Sequence, residues 1–125
     1  MKTIHTKHAP AAIGPYSQAK KVGPFLFISG QIDINPEAGK IVDETLEGQA
    51  EQICINIEAI LEKAGYTMDD VVKTTCFLTD LSGFSSFNKI YGKHFISKPA
   101  RSCVEVTHLP AGALCEVETI AYKKD

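Results

Sequence analysis

The 125-residue sequence has no Cys-x-x-Cys pair, no His-Glu-x-x-His, no glycine-rich phosphate loop and no serine-centred nucleophile elbow. Zinc ligation, phosphate cradling and serine-hydrolase chemistry therefore lose their usual sequence supports. No lysine carries a local signature of Schiff-base catalysis, so neither a metal nor a cofactor is called for. Basic charge is not in excess: 13 Lys and Arg stand against 15 Asp and Glu, a net charge of −2. Bulk charge thus draws the chain neither to nucleic acid nor to an anionic membrane. No segment reaches the roughly 18 consecutive apolar residues of a membrane span, and residues 1–8 lack the apolar core of a secretory signal. The expectation is a cytoplasmic protein with no membrane partner and no nucleic-acid partner.

What is present is the material of one globular unit. Hydrophobic residues make up 44% and charged residues 22%, which suits a single domain spanning residues 1–125. Four cysteines, Cys54, Cys76, Cys103 and Cys115, are widely spaced inside apolar segments and read as buried, reduced thiols. There is no internal repeat, low-complexity run or linker.

The chain is punctuated by short turns. Gly14-Pro15 and Gly23-Pro24 bracket residues 16–22, and an apolar, β-prone run follows over 25–32, which predicts two early strands joined by a tight turn. Residues 35–40 read as a surface loop. From Leu46 the period changes: Leu46, Ala50, Ile53, Ile57, Ile60, Leu61 and Ala64 recur at helical steps and Gly65 stands where a C-terminal cap belongs. Residues 71–79 predict a strand. Asp80 or Ser82 then caps a second helix bearing Phe84, Phe87, Tyr91 and Phe95. Two strands close the chain, and they look adjacent. The order ββαβαββ predicts an α+β fold, one mixed sheet with two helices on one face. The second face carries both apolar and ionisable residues, Glu116, Glu118 and Ile120 among them, which predicts association through it into a homo-oligomer.

Candidate chemistry gathers in the last quarter. Arg101 follows the stiff Pro99-Ala100 approach, and a fixed guanidinium matches a carboxylate ligand; a solvated or interface-pairing arginine is the plainer alternative. Glu116 and Glu118 project to one strand face about 7 Å apart. They are either an acid and base pair or half-exposed carboxylates paired with Lys73 or Arg101. Cys103 lacks an evident histidine base, so its backbone is a better contributor than its thiol. Tyr16 and Ser29-Gly30 are polar groups at turns where small residues let a ligand approach. Asn88 lies among the aromatics of the second helix, either as a site group or as a solvated or capping amide.

Residues 9–18 (Ala-Pro-Ala-Ala-Ile-Gly-Pro-Tyr-Ser-Gln), Ser29-Gly30-Gln31-Ile32, Val71-Val72-Lys73-Thr74-Thr75 and residues 98–106 (Lys-Pro-Ala-Arg-Ser-Cys-Val-Glu-Val) closely resemble the reactive intermediate deaminases, the RidA or YjgF-like family. The likeness runs nearly end to end. It implies a chorismate-mutase-like α+β fold assembled as a homotrimer, with sites in the clefts between subunits. It also implies hydrolysis, without metal or cofactor, of enamine and imine intermediates such as 2-aminoacrylate and 2-aminocrotonate released by pyridoxal-phosphate-dependent dehydratases. The products are 2-oxo acids and ammonia. By that resemblance Arg101 is the substrate-carboxylate arginine and Glu116 positions water. Tyr16, Ser29 and Cys103 line the site, and Gly30 and Asn88 complete its wall. Alternative roles are a module sensing 2-oxo acids or related carboxylates, and a chaperone-like or ribonuclease stress protein.

Overall fold

The computed structural model describes residues 1–124. Its elements are β1 (Lys2–Ile4), β2 (Ala19–Val22), β3 (Phe25–Gln31), β4 (Ile34–Asn35), β5 (Lys40–Ile41), α1 (Leu46–Ala64), β6 (Val71–Leu78), α2 (Phe84–His94), β7 (Ala100–Glu105) and β8 (Cys115–Tyr122). Six strands form one sheet in the order β1-β2-β3-β8-β6-β7, and β4 and β5 pair by themselves. All pairings in the large sheet are antiparallel except β6 with β7. The expected α+β architecture, a mixed sheet with two helices, is what forms.

Local chemistry explains the two helices. Thr45 caps α1 by accepting from the Gly48 N–H at 3.0 Å, and Gly65 ends it in the left-handed region at φ 85°. The apolar stripe Ile53, Ile57, Ile60 and Leu61 is fully buried against the sheet. Truncating one of these to alanine would cost about 2–5 kcal/mol. Ahead of α2, Asp80 accepts from the Ser82 N–H at 2.9 Å and caps a short 3-10 turn, Leu81–Gly83, that leads into the helix. Phe87, Tyr91 and Phe95 then face inward, with Tyr91 stacked on Phe95 at 4.3 Å.

Alternation divides the sheet into two unlike faces. Leu26 and Ile28 of β3, Thr74, Cys76 and Leu78 of β6, and Cys115, Val117 and Thr119 of β8 lie buried under the helices. The intervening residues point to a face that no helix or strand among the described residues covers. There Val22, Phe25, Phe27, Val104 and Tyr122 remain 40–45% exposed.

Three expectations need correction. The loop placed over 35–40 is the tip of the β4–β5 hairpin, in which Ile34 pairs with Ile41 and Asn35 with Lys40. Asn35 Oδ1 accepts from the N–H groups of Glu37 and Ala38, which tightens the turn. The N-terminal residues supply an edge strand, β1, too short to show a period. Finally, β7 and β8 are not adjacent: β6 lies between them, because β7 returns from α2 as a parallel crossover.

Candidate functional site

The predicted residues fall into two groups on opposite faces of the sheet. The first is a cleft of about 640 Å³ whose lining includes Pro10, Ile13, Tyr16, Ser29, Gly30, Ile32, Pro110, Glu116 and Glu118. A β-bulge builds its floor. Ile28 pairs with Thr119 and Gln31 with Val117, so Ser29 and Gly30 together oppose the single residue Glu118. Ser29 is tied down by its hydroxyl, which donates to the Ser17 carbonyl at 2.5 Å, and by its N–H, which donates to the Gln18 carbonyl at 3.0 Å.

Gly30 is there for space. A Cβ at this position would overlap the Glu116 carboxylate, so only glycine lets that carboxylate lie across the backbone. Glu116 is half-buried and accepts no hydrogen bond from any described residue. Burial, and after it the neighbouring Glu118 charge, raise its pKa above the ordinary carboxylate value. An unpaired carboxyl so tuned can hold a water and exchange a proton with it.

The opposite wall rests on Gln18, a residue that sequence reasoning did not single out. Its buried amide donates to the carbonyls of Thr6, Ala9 and Pro10 and accepts from the Thr6 N–H at 2.7 Å. That clasp fixes residues 6–10, and with them Pro10, beside the cleft. Tyr16 stands at the mouth, 55% exposed, just after Gly14 at φ 119°.

The second group lies at the far edge of the sheet, on the helix side. Arg101 of β7 pairs in register with Thr74 and reaches under α2. Its Nη1 donates to Asn88 Oδ1 at 2.7 Å, and its guanidinium carbon lies 4.7 Å from the Tyr91 ring centroid and 5.3 Å from that of Phe84. Tyr91 is itself anchored, its hydroxyl 2.7 Å from Thr74 Oγ1. The guanidinium has five N–H donors, and Asn88 is its only hydrogen-bond acceptor among the described residues. Cys103 sits two residues further along the same face of β7. In the sequence Phe84 and Tyr91 read as packing residues; nothing in their spacing announces a cation cradle.

Within one chain, then, Tyr16, Ser29, Gly30, Glu116 and Glu118 come together, and Arg101, Asn88 and Cys103 come together elsewhere. Two strand spacings, about 10 Å, and the thickness of the sheet separate the groups. Lys73, considered above as a partner for the glutamates, instead donates to the Thr74 carbonyl and the Thr75 hydroxyl, each at 3.1 Å. No group of three or more His, Cys, Asp or Glu residues among those described is placed to hold a metal ion. Among the described residues no helix is long and apolar enough to cross a membrane.

A sheet with two helices on one face, a bulged strand beneath a glutamate and an edge-strand arginine beneath aromatics define a class of small α+β proteins. Residues 6–123 match the family described as Endoribonuclease L-PSP. The chain belongs to this family, the RidA/YjgF-like group to which its motifs pointed. It is 51% identical over 124 residues to a RutC family protein of Pyrococcus horikoshii, covering 98% of each chain. Among solved structures it resembles RidA from an Antarctic Psychrobacter at 45% identity and TM-score 0.94, covering 98% of this chain and 100% of that one. It also resembles E. coli TdcF with bound serine, at 39% identity and TM-score 0.94, with 99% and 100% covered.

Proposed function

We propose that the protein is a 2-iminobutanoate/2-iminopropanoate deaminase: it hydrolyses enamine and imine intermediates such as 2-aminocrotonate and 2-aminoacrylate to 2-oxo acids and ammonia. One observation carries this reading. Glu116 is a half-buried carboxylate with no hydrogen-bond donor among the described residues, raised in pKa, over a cleft floor that Gly30 keeps clear. A module that only bound carboxylates would have no use for an acid there.

The chemistry follows from the two groups. Arg101, with donors to spare, clamps the substrate carboxylate bidentately and fixes the distance from that anchor to the imine carbon. Glu116 accepts a proton from water as it adds to that carbon, giving a carbinolamine, and returns the proton to the departing amine. Ser29, Gly30 and Tyr16 line the side of the cleft, with Asn88 holding Arg101 and the Cys103 backbone beside it. These enamines also hydrolyse unaided, so a modest lowering of the barrier suffices. The serine bound to E. coli TdcF is a small amino acid of the kind this arrangement suits.

Since Arg101 and Glu116 stand on opposite faces of one chain, a shared site needs two chains. We place it between subunits of a homotrimer, with residues 1–125 as one RidA-like domain per subunit. The uncovered sheet face, with Phe25, Phe27 and Tyr122 exposed, is apolar enough to be the surface that assembles.

The test couples purified threonine or serine dehydratase to the protein and follows decay of the enamine signal, with Arg101→Ala alongside. Faster decay with the wild type alone supports the deaminase. If neither protein changes the decay, the deaminase reading falls and the carboxylate-sensing module takes its place.

A further inference from the structure

The thiols of Cys76 and Cys103 are neighbours that the reaction above does not use. They are direct register partners on the parallel strands β6 and β7 and point to the same, helix-covered side. Neighbouring strands lie about 4.8 Å apart, inside the roughly 4.4–6.8 Å Cα separation that a disulfide spans. The Cys76 side chain lies close enough to favour the Cys103 thiolate. The other two cysteines have no such partner: Cys115 pairs with Leu78, two residues along from Cys76, and Cys54 lies on α1.

Access divides the two roles. Cys54, Cys76 and Cys115 are buried, whereas Cys103 is partly exposed on a strand that has a neighbour on one side only. Arg101, two residues away on the same face, favours the thiolate of both Cys103 and Cys76. Burial acts more strongly in the other direction, pushing Cys76 up to about 12 and raising Cys103 less far.

The geometry points to a redox pair in which a peroxide oxidises Cys103 and Cys76 resolves it, forming an intrachain disulfide that ties edge strand β7 to β6. In the first step the Cys103 thiolate attacks a peroxide oxygen; the S–O bond forms, the O–O bond breaks, and the displaced hydroxide leaves as water after taking a proton. Cys103 is now a sulfenic acid. In the second, the Cys76 sulfur attacks Cys103, the S–S bond forms, and the sulfenic hydroxyl leaves as water with the Cys76 proton. Two thiols and one hydrogen peroxide become one disulfide and two waters. As an edge strand, β7 has one strand partner to hold it back, so it can close the remaining gap to a bonded S–S of about 2.05 Å.

The experiment treats the full chain with hydrogen peroxide, blocks remaining thiols with N-ethylmaleimide in denaturant, and maps peptides without reduction. The expected result is a fall from four titratable thiols to two, a Cys76–Cys103 peptide pair two hydrogens lighter than its parts, and full reversal by dithiothreitol. Under the same treatment Cys76→Ala should leave a Cys103 sulfenic acid that dimedone traps. Cys103→Ser, at the more exposed position, should lose the cross-link while keeping the circular dichroism of the fold, and covers the case in which Cys76→Ala does not fold. Conversion of wild-type Cys103 to sulfinic acid with no cross-link, a cross-link running between chains, or peroxide leaving Cys103 unmodified would each overturn the proposal.

Discussion

The two halves of the candidate site are built on opposite plans. Arg101 is held: an amide oxygen takes one of its donors and two aromatic rings face its guanidinium, one of them anchored to Thr74. Glu116 is left alone: a bulge and a missing side chain make room for it, and the described residues offer it no donor. The contrast suits the two tasks proposed above. A group that grips a fixed charge gains from being pre-aimed, because ordering it beforehand lowers the entropic cost of binding. A group that moves protons gains from an unsatisfied, desolvated carboxyl whose pKa sits closer to neutrality.

The largest effects come from removing either half. Glu116→Gln should lower kcat about 100-fold or more with little change in KM. Arg101→Ala should cost about as much in kcat/KM, with much of the loss in KM. Co-expressing the two variants sharpens the comparison: if the halves meet between chains, random mixing restores about a quarter of the sites. No recovery in the mixed assembly would place both residues in one chain's site.

Gly30→Ala attacks the room and leaves the acid in place. The new Cβ pushes aside the flexible end of the Glu116 side chain, and we expect a roughly 10-fold drop in kcat with little loss of stability, read by steady-state kinetics and urea titration. An unaltered kcat would show that Glu116 works from some other position.

The pH profile is a finer probe. Because Glu116 must be ionised to accept a proton and its pKa is raised, the acid limb of kcat/KM should lie above the pH of an ordinary carboxylate. Glu118→Gln removes the like charge that contributes to this rise, so the limb should move to lower pH. Movement to higher pH, or none, would remove Glu118 from the tuning.

The smallest effect lies behind the cleft. Asp33, in the segment between Gln31 and Ile34, is fully buried and neither carboxylate oxygen has a hydrogen-bonding side chain or backbone partner within bonding geometry. Burial raises its pKa in the folded protein, partly offset by the nearby Asp43 backbone, while the Asp43 charge adds to the rise. The folded state therefore binds the proton more tightly than the unfolded state. Its contribution is present at acid pH and is lost as pH rises from the ordinary aspartate value through the raised one. Asp33→Asn should be more stable than the wild type at pH 7, by about 1 kcal/mol or about 4 °C in Tm, with the gap closing toward pH 4. A gap that widens with acid would reverse the sign.

Much of this was legible beforehand, and what was not shares a cause. The long helix showed itself through Ile53, Ile57, Ile60 and Leu61, and the strands around 25–31 and 71–78 through β-branched and apolar density, all signals carried by near neighbours in the chain. The RidA-like motifs likewise singled out Arg101, Glu116, Ser29 and Gly30. Strand order was hidden because pairing is long-range: nothing local says that β7 joins β6 and not β8. The cradle of Arg101 was hidden for the same reason, since Phe84 and Tyr91 look like any buried helix face until β7 slides beneath them. Gln18 and Asp33 are single polar residues whose roles depend on what burial does to them, which composition does not reveal.

The parallel crossover from β6 through α2 to β7 also bears on the order in which the protein assembles itself. A hairpin can zip from its turn, but β7 has no adjacent strand to zip against; it reaches β6 only once α2 has formed and folded back. The strand carrying Arg101 and Cys103 closes only residues 79–99 to reach β6, whereas β8, which carries Glu116, must close residues 32–114 to reach β3. During refolding, the local unit β6–α2–β7 should gain hydrogen-exchange protection before the long-range pairing of β3 with β8, so the strand bearing Arg101 is in place before the one bearing Glu116.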